Sequence, residues 1–228
     1  MLAQHLKAGN IKRMSRGVFA SVPPHGEAMT WAVDRFLVAS RLRRDAIIAY
    51  HSALELHGCA YTDMPDVQAL SDQAPAVIET PDFACRFVRV PAGFERPRDI
   101  TTIDRAGLTV KLTSLERTIV DCFDRPDLAG GGEELMNSLA LVARVRTGQL
   151  VQQAEALGNA SACGALGWWL EREQARLGVP VAALTALRQL KSKHAQYVLG
   201  AKPGAARSVA EWSILVPAEL ADATFEGT

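Results

Sequence analysis

Residues 8–20, AGNIKRMSRGVFA, constrain the fold of this chain more than any other stretch. Two short alternating runs, Ile11–Met14 and Gly17–Ala20, flank Ser15-Arg16, and Gly17 supplies the backbone freedom that a tight turn needs. The spacing predicts a β-hairpin with Lys12, Arg13 and Arg16 on or beside its tip. Immediately upstream, Leu2–Ala8 has helical spacing, and Gly9 and Asn10 are helix-stop residues.

A helix that stops at Gly-Asn and runs into a basic hairpin is how a winged helix-turn-helix finishes, recognition helix first and wing second. Met1 falls at or inside that helix, so the supporting helices of such a fold are not expected among these 228 residues. The charge pattern points the same way. Lys and Arg number 25, equal to Asp and Glu, which argues against a protein coated in nucleic acid. Yet residues 1–16 carry Lys7, Lys12, Arg13 and Arg16 and no acid. A basic arm on a neutral body fits phosphate contact by one end of the molecule; a solvated hairpin has the same composition.

A chain of this length with 48% hydrophobic residues can build a core without disulfide or metal staples. Cys59, Cys85, Cys122 and Cys163 are scattered, with no C-x-x-C and no zinc spacing, so reduced and mostly buried thiols are expected. No apolar run is long enough to cross a bilayer and no signal peptide is visible. The expected location is cytoplasmic, without membrane contact.

After the break at Pro23-Pro24-His25-Gly26, Glu27–Leu42 has helical spacing, with Met29, Val33, Phe36, Leu37 and Ser40 on one face and Arg41, Arg43 and Arg44 at its end. Ala46–Tyr50 reads as a short strand. Ser52 and Glu55 read as a capping box for a helix closed by Gly58. Val67–Leu70, Pro75–Glu79, Cys85–Val90 and Leu108–Val110 are strand candidates. Thr113 and Glu116 form a second capping box, opening a helix over Ser114–Phe123 whose apolar face is Leu115, Ile119, Val120 and Phe123. Further helices are expected over Glu133–Val145, Gln149–Leu157, Cys163–Leu177 and Val181–Leu190, then a strand over Glu211–Val216 and a frayed tail.

Little in the chain reads as catalytic machinery. His51 sits beside Ser52, but no G-x-S-x-G elbow is present and Ser52 has a capping role. Cys59, after a helix-closing glycine, reads as a small packed residue rather than a thiolate. Gly130-Gly131-Gly132 lacks a Walker lysine and precedes Glu133-Glu134, so it reads as a flexible linker rather than a phosphate cradle. Arg117 and Asp121 are placed to pair along a helix surface. No metal ligand set, cofactor motif or catalytic residue is assigned. Trp168 and Trp169 point about a hundred degrees apart on one helix, so one is expected to be partly exposed as a partner anchor.

The order RGVFA, SALELHG, a strand-rich region, LTSLERTIVDCFDRPDLAGG, GALGWWLE, HAQYVLG and RSVAEWSILVP resembles the AbiEi family, antitoxins of type IV (abortive-infection) toxin–antitoxin systems. The resemblance spans nearly the whole chain and rests on the combination of SALELHG with ERT-x-x-D and a following Arg-Pro-Asp. It implies a winged helix-turn-helix that binds operator DNA and represses its own operon. It also implies a domain that neutralises a nucleotidyltransferase-like toxin, with or without direct contact. By position, Gln4, His5 and Lys7 would lie on the recognition helix, and Lys12, Arg13 and Arg16 on the wing.

The expected architecture is therefore α+β: a winged-helix remnant over residues 1–22, then a mixed sheet-and-helix antitoxin domain over residues 28–217 with a helical C-terminal half. Family members usually carry several tens of residues before the equivalent of Leu2, so weak DNA binding is expected of the chain as given. The readings set against this one are a protein-interaction module, a regulator without a toxin partner, and a degenerate hydrolase around His51 and Cys59.

Overall fold

The computed structural model describes residues 1–91, 99–223 and 225. The protein is an α+β fold in two compact units. One comprises Met1–Ile48, Met64–Val90 and Thr101–Leu112; the other comprises Ala49–Asp63, Pro91–Ile100 and Thr113–Thr228. Residues 1–22 share the first unit with the strands of residues 64–90 and 101–112.

The first unit opens with α1 (Leu2–Lys7), stopped by Gly9 at φ +72°. Strands β1 (Ile11–Ser15) and β2 (Val18–Ser21) then pair antiparallel. Gly17, at φ +79°, makes the turn, and the register shifts between Arg13 and Ser15 so that Met14 bulges out of the ladder. The hairpin thus forms where its alternation predicts, β1 starting at Ile11 as expected and ending one residue later, and β2 shifted one residue later at both ends. Met14 and Val22 are its buried anchors.

The helix expected over Glu27–Leu42 is shorter. α2 covers Arg35–Leu42, because the Asp34 carboxylate accepts hydrogen bonds from the Phe36 and Leu37 backbone N–H groups, both at 3.1 Å. An N-cap of that kind starts a helix, and residues 27–34 upstream run as turns and irregular chain. Met29, expected in the core, is 88% exposed.

A six-stranded sheet completes this unit: β3 (Ile47–Ile48), β4 (Val67–Ser71), β5 (Ala76–Glu79), β6 (Ala84–Arg89), β7 (Ile100–Arg105) and β8 (Leu108–Thr113), in the order β5-β6-β4-β3-β8-β7. β4 runs parallel to β6 and antiparallel to β3, with Val67 opposite Cys85 and Leu70 opposite Ile47. Every residue of β4 is buried, as befits an interior strand. Arg43 ties the end of α2 to this unit, donating to Ser71 Oγ and the Ala74 carbonyl and lying over the Phe87 ring.

The second unit is mostly helical: α3 (Tyr50–Leu56), α4 (Leu115–Asp124), α5 (Gly132–Ala140), α6 (Thr147–Leu157), α7 (Ala160–Arg172), α8 (Gln174–Leu177), α9 (Val181–Leu190) and α10 (Ala218–Asp222). The last of these occupies part of the tail expected to fray, held by buried Leu220. β9 (Gln196–Tyr197), β10 (Ala206–Val209) and β11 (Ile214–Pro217) form a small sheet in the order β10-β11-β9. The core is built around α4, buried without interruption from Glu116 to Phe123, and around Trp169 and Trp212, both at most 1% exposed.

Both expected capping boxes resolve differently. Ser52 lies inside α3 and is fully buried, and Ala49 precedes that helix without a side-chain cap. The cap of α4 is Ser114, which accepts from the Arg117 N–H, while Thr113 bonds Thr118 instead. Glu116 is drawn away by Arg146, at 3.0 and 2.8 Å. For Glu116 the competitor lies 30 residues away in sequence, beyond the reach of the local motif. Gly132 likewise is no flexible linker: a Cβ there would collide with the Leu199 carbonyl.

Candidate nucleic-acid interface

α1 buries nothing. Gln4, His5 and Lys7 all face solvent, as do the apolar Leu2 and Leu6. Short isolated helices are marginal in water, so the stop at Gly9 and the hairpin that follows must hold this one. The His5 and Asn10 side chains, 3.4 Å apart, add a link across the stop.

On the hairpin the three cations separate. Arg13 and Arg16 are exposed. Lys12 is not free: its ammonium donates to both oxygens of Asp82, at 2.6 and 2.8 Å, with only 11% of its side chain exposed. Lys12 therefore anchors the hairpin to the loop before β6, and the free cations of the first sixteen residues are Lys7, Arg13 and Arg16. No sequence signal marks this pairing, because its partner lies 70 residues away.

The charge of the unit as a whole has the same sign. The first unit holds twelve Lys and Arg against eight Asp and Glu, and the second holds thirteen against seventeen. The neutral chain is thus a basic unit and an acidic one. Beside the hairpin lies an open cavity of about 550 Å³, walled by Val18–Val22 on one side and by Leu37, Val38 and Arg41 on the other. Trp31, 38% exposed, also lines it.

The tryptophans expected as partner anchors are both buried. Trp168 is 6% exposed beneath the Arg172 guanidinium, and Trp169 is 1% exposed against the Phe123 ring, 5.9 Å between centroids. Their adjacent faces are both covered within the second unit, so neither is available as an exposed anchor. The exposed tryptophan of the chain is Trp31, in a segment whose spacing predicts a helix.

The polar groups singled out in the second unit are structural in their geometry. His51 is fully buried between Glu55 and Glu134, each at 3.1 Å. Burial works to lower its pKa, but the two carboxylates prevail and raise it above the usual 6.5. Glu134 also accepts from the Thr62 N–H and the Ser138 hydroxyl. His57, whose pKa burial lowers, donates its Nε2–H to the Thr113 carbonyl at 2.9 Å.

All four cysteines are free and buried, and burial pushes the Cys59 thiol up, the opposite of what a nucleophile needs. Arg117 and Asp121 do pair, at 2.7 and 2.8 Å, but in the core rather than along a surface. Burial pushes the Asp121 carboxyl up to about 7 against the pull of Arg117. Among the described residues no group of three or more His, Cys, Asp or Glu is placed to hold a metal ion, and no helix is long and apolar enough to cross a membrane.

No protein-family model matches the chain, and no curated protein matches it. Among solved structures, the chain is similar to the crystal structure of the Rv2827c protein from Mycobacterium tuberculosis, with a TM-score of 0.62 at 19% identity. The match covers 94% of this chain and 78% of that one. At that identity the likeness is one of fold, and it extends over nearly all of the α+β arrangement described above.

Proposed function

We propose that α1 and the β1–β2 hairpin contact DNA as recognition helix and wing, and that the chain is an antitoxin of the AbiEi type that represses its own operon. The observation that carries the reading is the state of this element. It is a helix with every side chain in solvent, followed by a two-stranded hairpin that presents Arg13 and Arg16 unscreened by any acid in residues 1–16. Phosphate contacts position such an element and base contacts from Gln4, His5 or Lys7 give it sequence preference. The positive balance of the first unit supports the same orientation toward a polyanion.

The antitoxin part rests on the family resemblance. In that role the protein acts in the cytoplasm and without catalysis of its own, neutralising a nucleotidyltransferase-like toxin. Two experiments separate the halves. Anisotropy titrations against the chain's own promoter fragment and a scrambled duplex test DNA binding. Co-expression with the neighbouring toxin gene tests neutralisation by growth rescue. Surface substitution of Lys7, Arg13 and Arg16 is the right perturbation for both. Deleting residues 1–22 would remove buried Met14 and Val22 and open the core of the first unit. The proposal expects the triple variant to lose promoter binding and to keep neutralising; a variant that keeps promoter affinity contradicts it.

A further inference from the structure

The two outer edges of the hairpin are built differently. β1 carries Lys12 and Arg13 and the bulge at Met14, the devices by which natural sheets keep an edge from pairing with another chain. β2 reads Val-Phe-Ala-Ser: no charge, no proline and no bulge of its own. Among the described residues the sheet has only these two strands, and no strand lies beside the far edge of β2. Val22 N–H donates to the Asn10 carbonyl at 2.9 Å, which fixes the phase of the ladder. Alternation then turns the backbone of Ala20 toward β1 and that of Phe19 and Ser21 away from it.

That unguarded edge borders the apolar cavity of about 550 Å³, all of Val18–Val22 lining one wall. Two charged residues line the cavity, Asp34 and Arg41. Asp34 is fully used: one carboxylate oxygen caps α2 and the other holds Arg105 Nε at 2.6 Å. Arg41 is exposed, and among the described residues nothing pairs with it. The groove therefore offers backbone hydrogen bonds on one side, an apolar floor, and one uncompensated positive charge.

We propose that this groove is a strand-docking site for an extended segment of a partner polypeptide, apolar at alternate positions and carrying one acidic side chain that meets Arg41. Main-chain bonds to Phe19 and Ser21 would supply affinity, and the apolar wall of α2 together with Arg41 would select the sequence. This inference is independent of the DNA reading, because it uses no residue assigned to phosphate or base contact.

The test is selection of a displayed random peptide library, about eight residues long to exceed a typical strand, on the full chain without DNA. The expected winners alternate apolar residues and carry Asp or Glu. Ser21→Pro removes an outward N–H without touching the β1 ladder. Arg41→Glu reverses the selecting charge at an exposed position. Each should weaken the selected peptides by about tenfold, the loss of one good charge-assisted or backbone bond. Because Arg41→Glu lies on the surface, it keeps the test decisive even if Ser21→Pro disturbs the hairpin. Failure to enrich any peptide, or winners that bind both variants as tightly as the parent, would overturn the proposal. So would a solution dimer broken by Ser21→Pro, which would make a second copy the occupant.

Discussion

Lys12 holds Asp82 at 2.6 Å, while Arg13, one residue on, points into solvent. Adjacent residues of a strand face opposite sides, so the pair was bound to divide, but only the fold tells which member is captured. The same holds for His51. Its proximity to Ser52 is plain in the sequence, whereas its partner Glu134 lies 83 residues away. The protonated imidazole is the form that both carboxylates favour, and its folded pKa is raised. The sign follows from linkage: the stabilisation is fully present below the unfolded value near 6.5 and is lost as pH rises through the folded value. His57, whose pKa is lowered, acts in the opposite sense, so a single melting curve mixes the two. The difference in unfolding free energy between the parent and His51→Gln, followed from pH 5 to 9 by urea denaturation, isolates His51 and should shrink toward high pH. A difference that is constant or grows with pH contradicts the assigned charge state.

A second prediction at this scale concerns the buried pair. Arg117→Met leaves the Asp121 carboxylate without its partner in the core and should cost roughly 3–5 kcal/mol, whereas replacing both with apolar residues should cost much less. Equal losses for the single and the double variant, measured by chemical denaturation, would show that the pair is not coupled as its geometry implies.

At the scale of elements, periodicity served well where an element packs mainly on its own face. The hairpin, β4, β5, β6, α6 and α9 form within one or two residues of their expected positions. It served poorly where a competing polar partner decides. Asp34 starts α2 eight residues late, and its signal, a capping residue ahead of an apolar run, is local and readable. β7 gives no clean alternation, and Gly148 hides the start of α6. GALGWWLE shows how a glycine pattern carries tertiary information. Gly167 has no room for a Cβ, which would sit inside the Trp212 ring, while the Trp212 indole donates to Glu171 at 2.8 Å. Helix propensity alone makes Gly167→Ala stabilising by about 1 kcal/mol. Overpacking against an indole wedged beside α7 should outweigh that and destabilise by about 1–3 kcal/mol. A rise in thermal midpoint for Gly167→Ala would refute the packing described here.

At the scale of the molecule, the zero net charge conceals a division that composition does not reveal. The chain passes between the two units five times, so the charge of each is clearest once residues 49–63 and 91–100 are assigned away from the first. The α+β class and the helical C-terminal half are legible in the sequence because they depend on local periods. The role of the N-terminal element is legible only as a pattern of cations, and the fold removes Lys12 from that pattern. Phosphate contact should therefore be graded along the element, with Arg13 and Arg16 contributing and Lys12 contributing little.

The most direct test is the salt dependence of binding to the chain's own promoter fragment, measured by anisotropy from low to moderate salt for the parent, Lys12→Ala and the double variant Arg13→Ala/Arg16→Ala. Each phosphate contact contributes nearly one unit to the slope of log K against log salt, so the double variant should flatten the slope by about two units. Lys12→Ala, whose ammonium is already neutralised by Asp82, should leave it nearly unchanged. An unchanged slope in the double variant, or equal effects from Lys12 and the two arginines, would contradict the assignment of this helix and hairpin to the DNA interface.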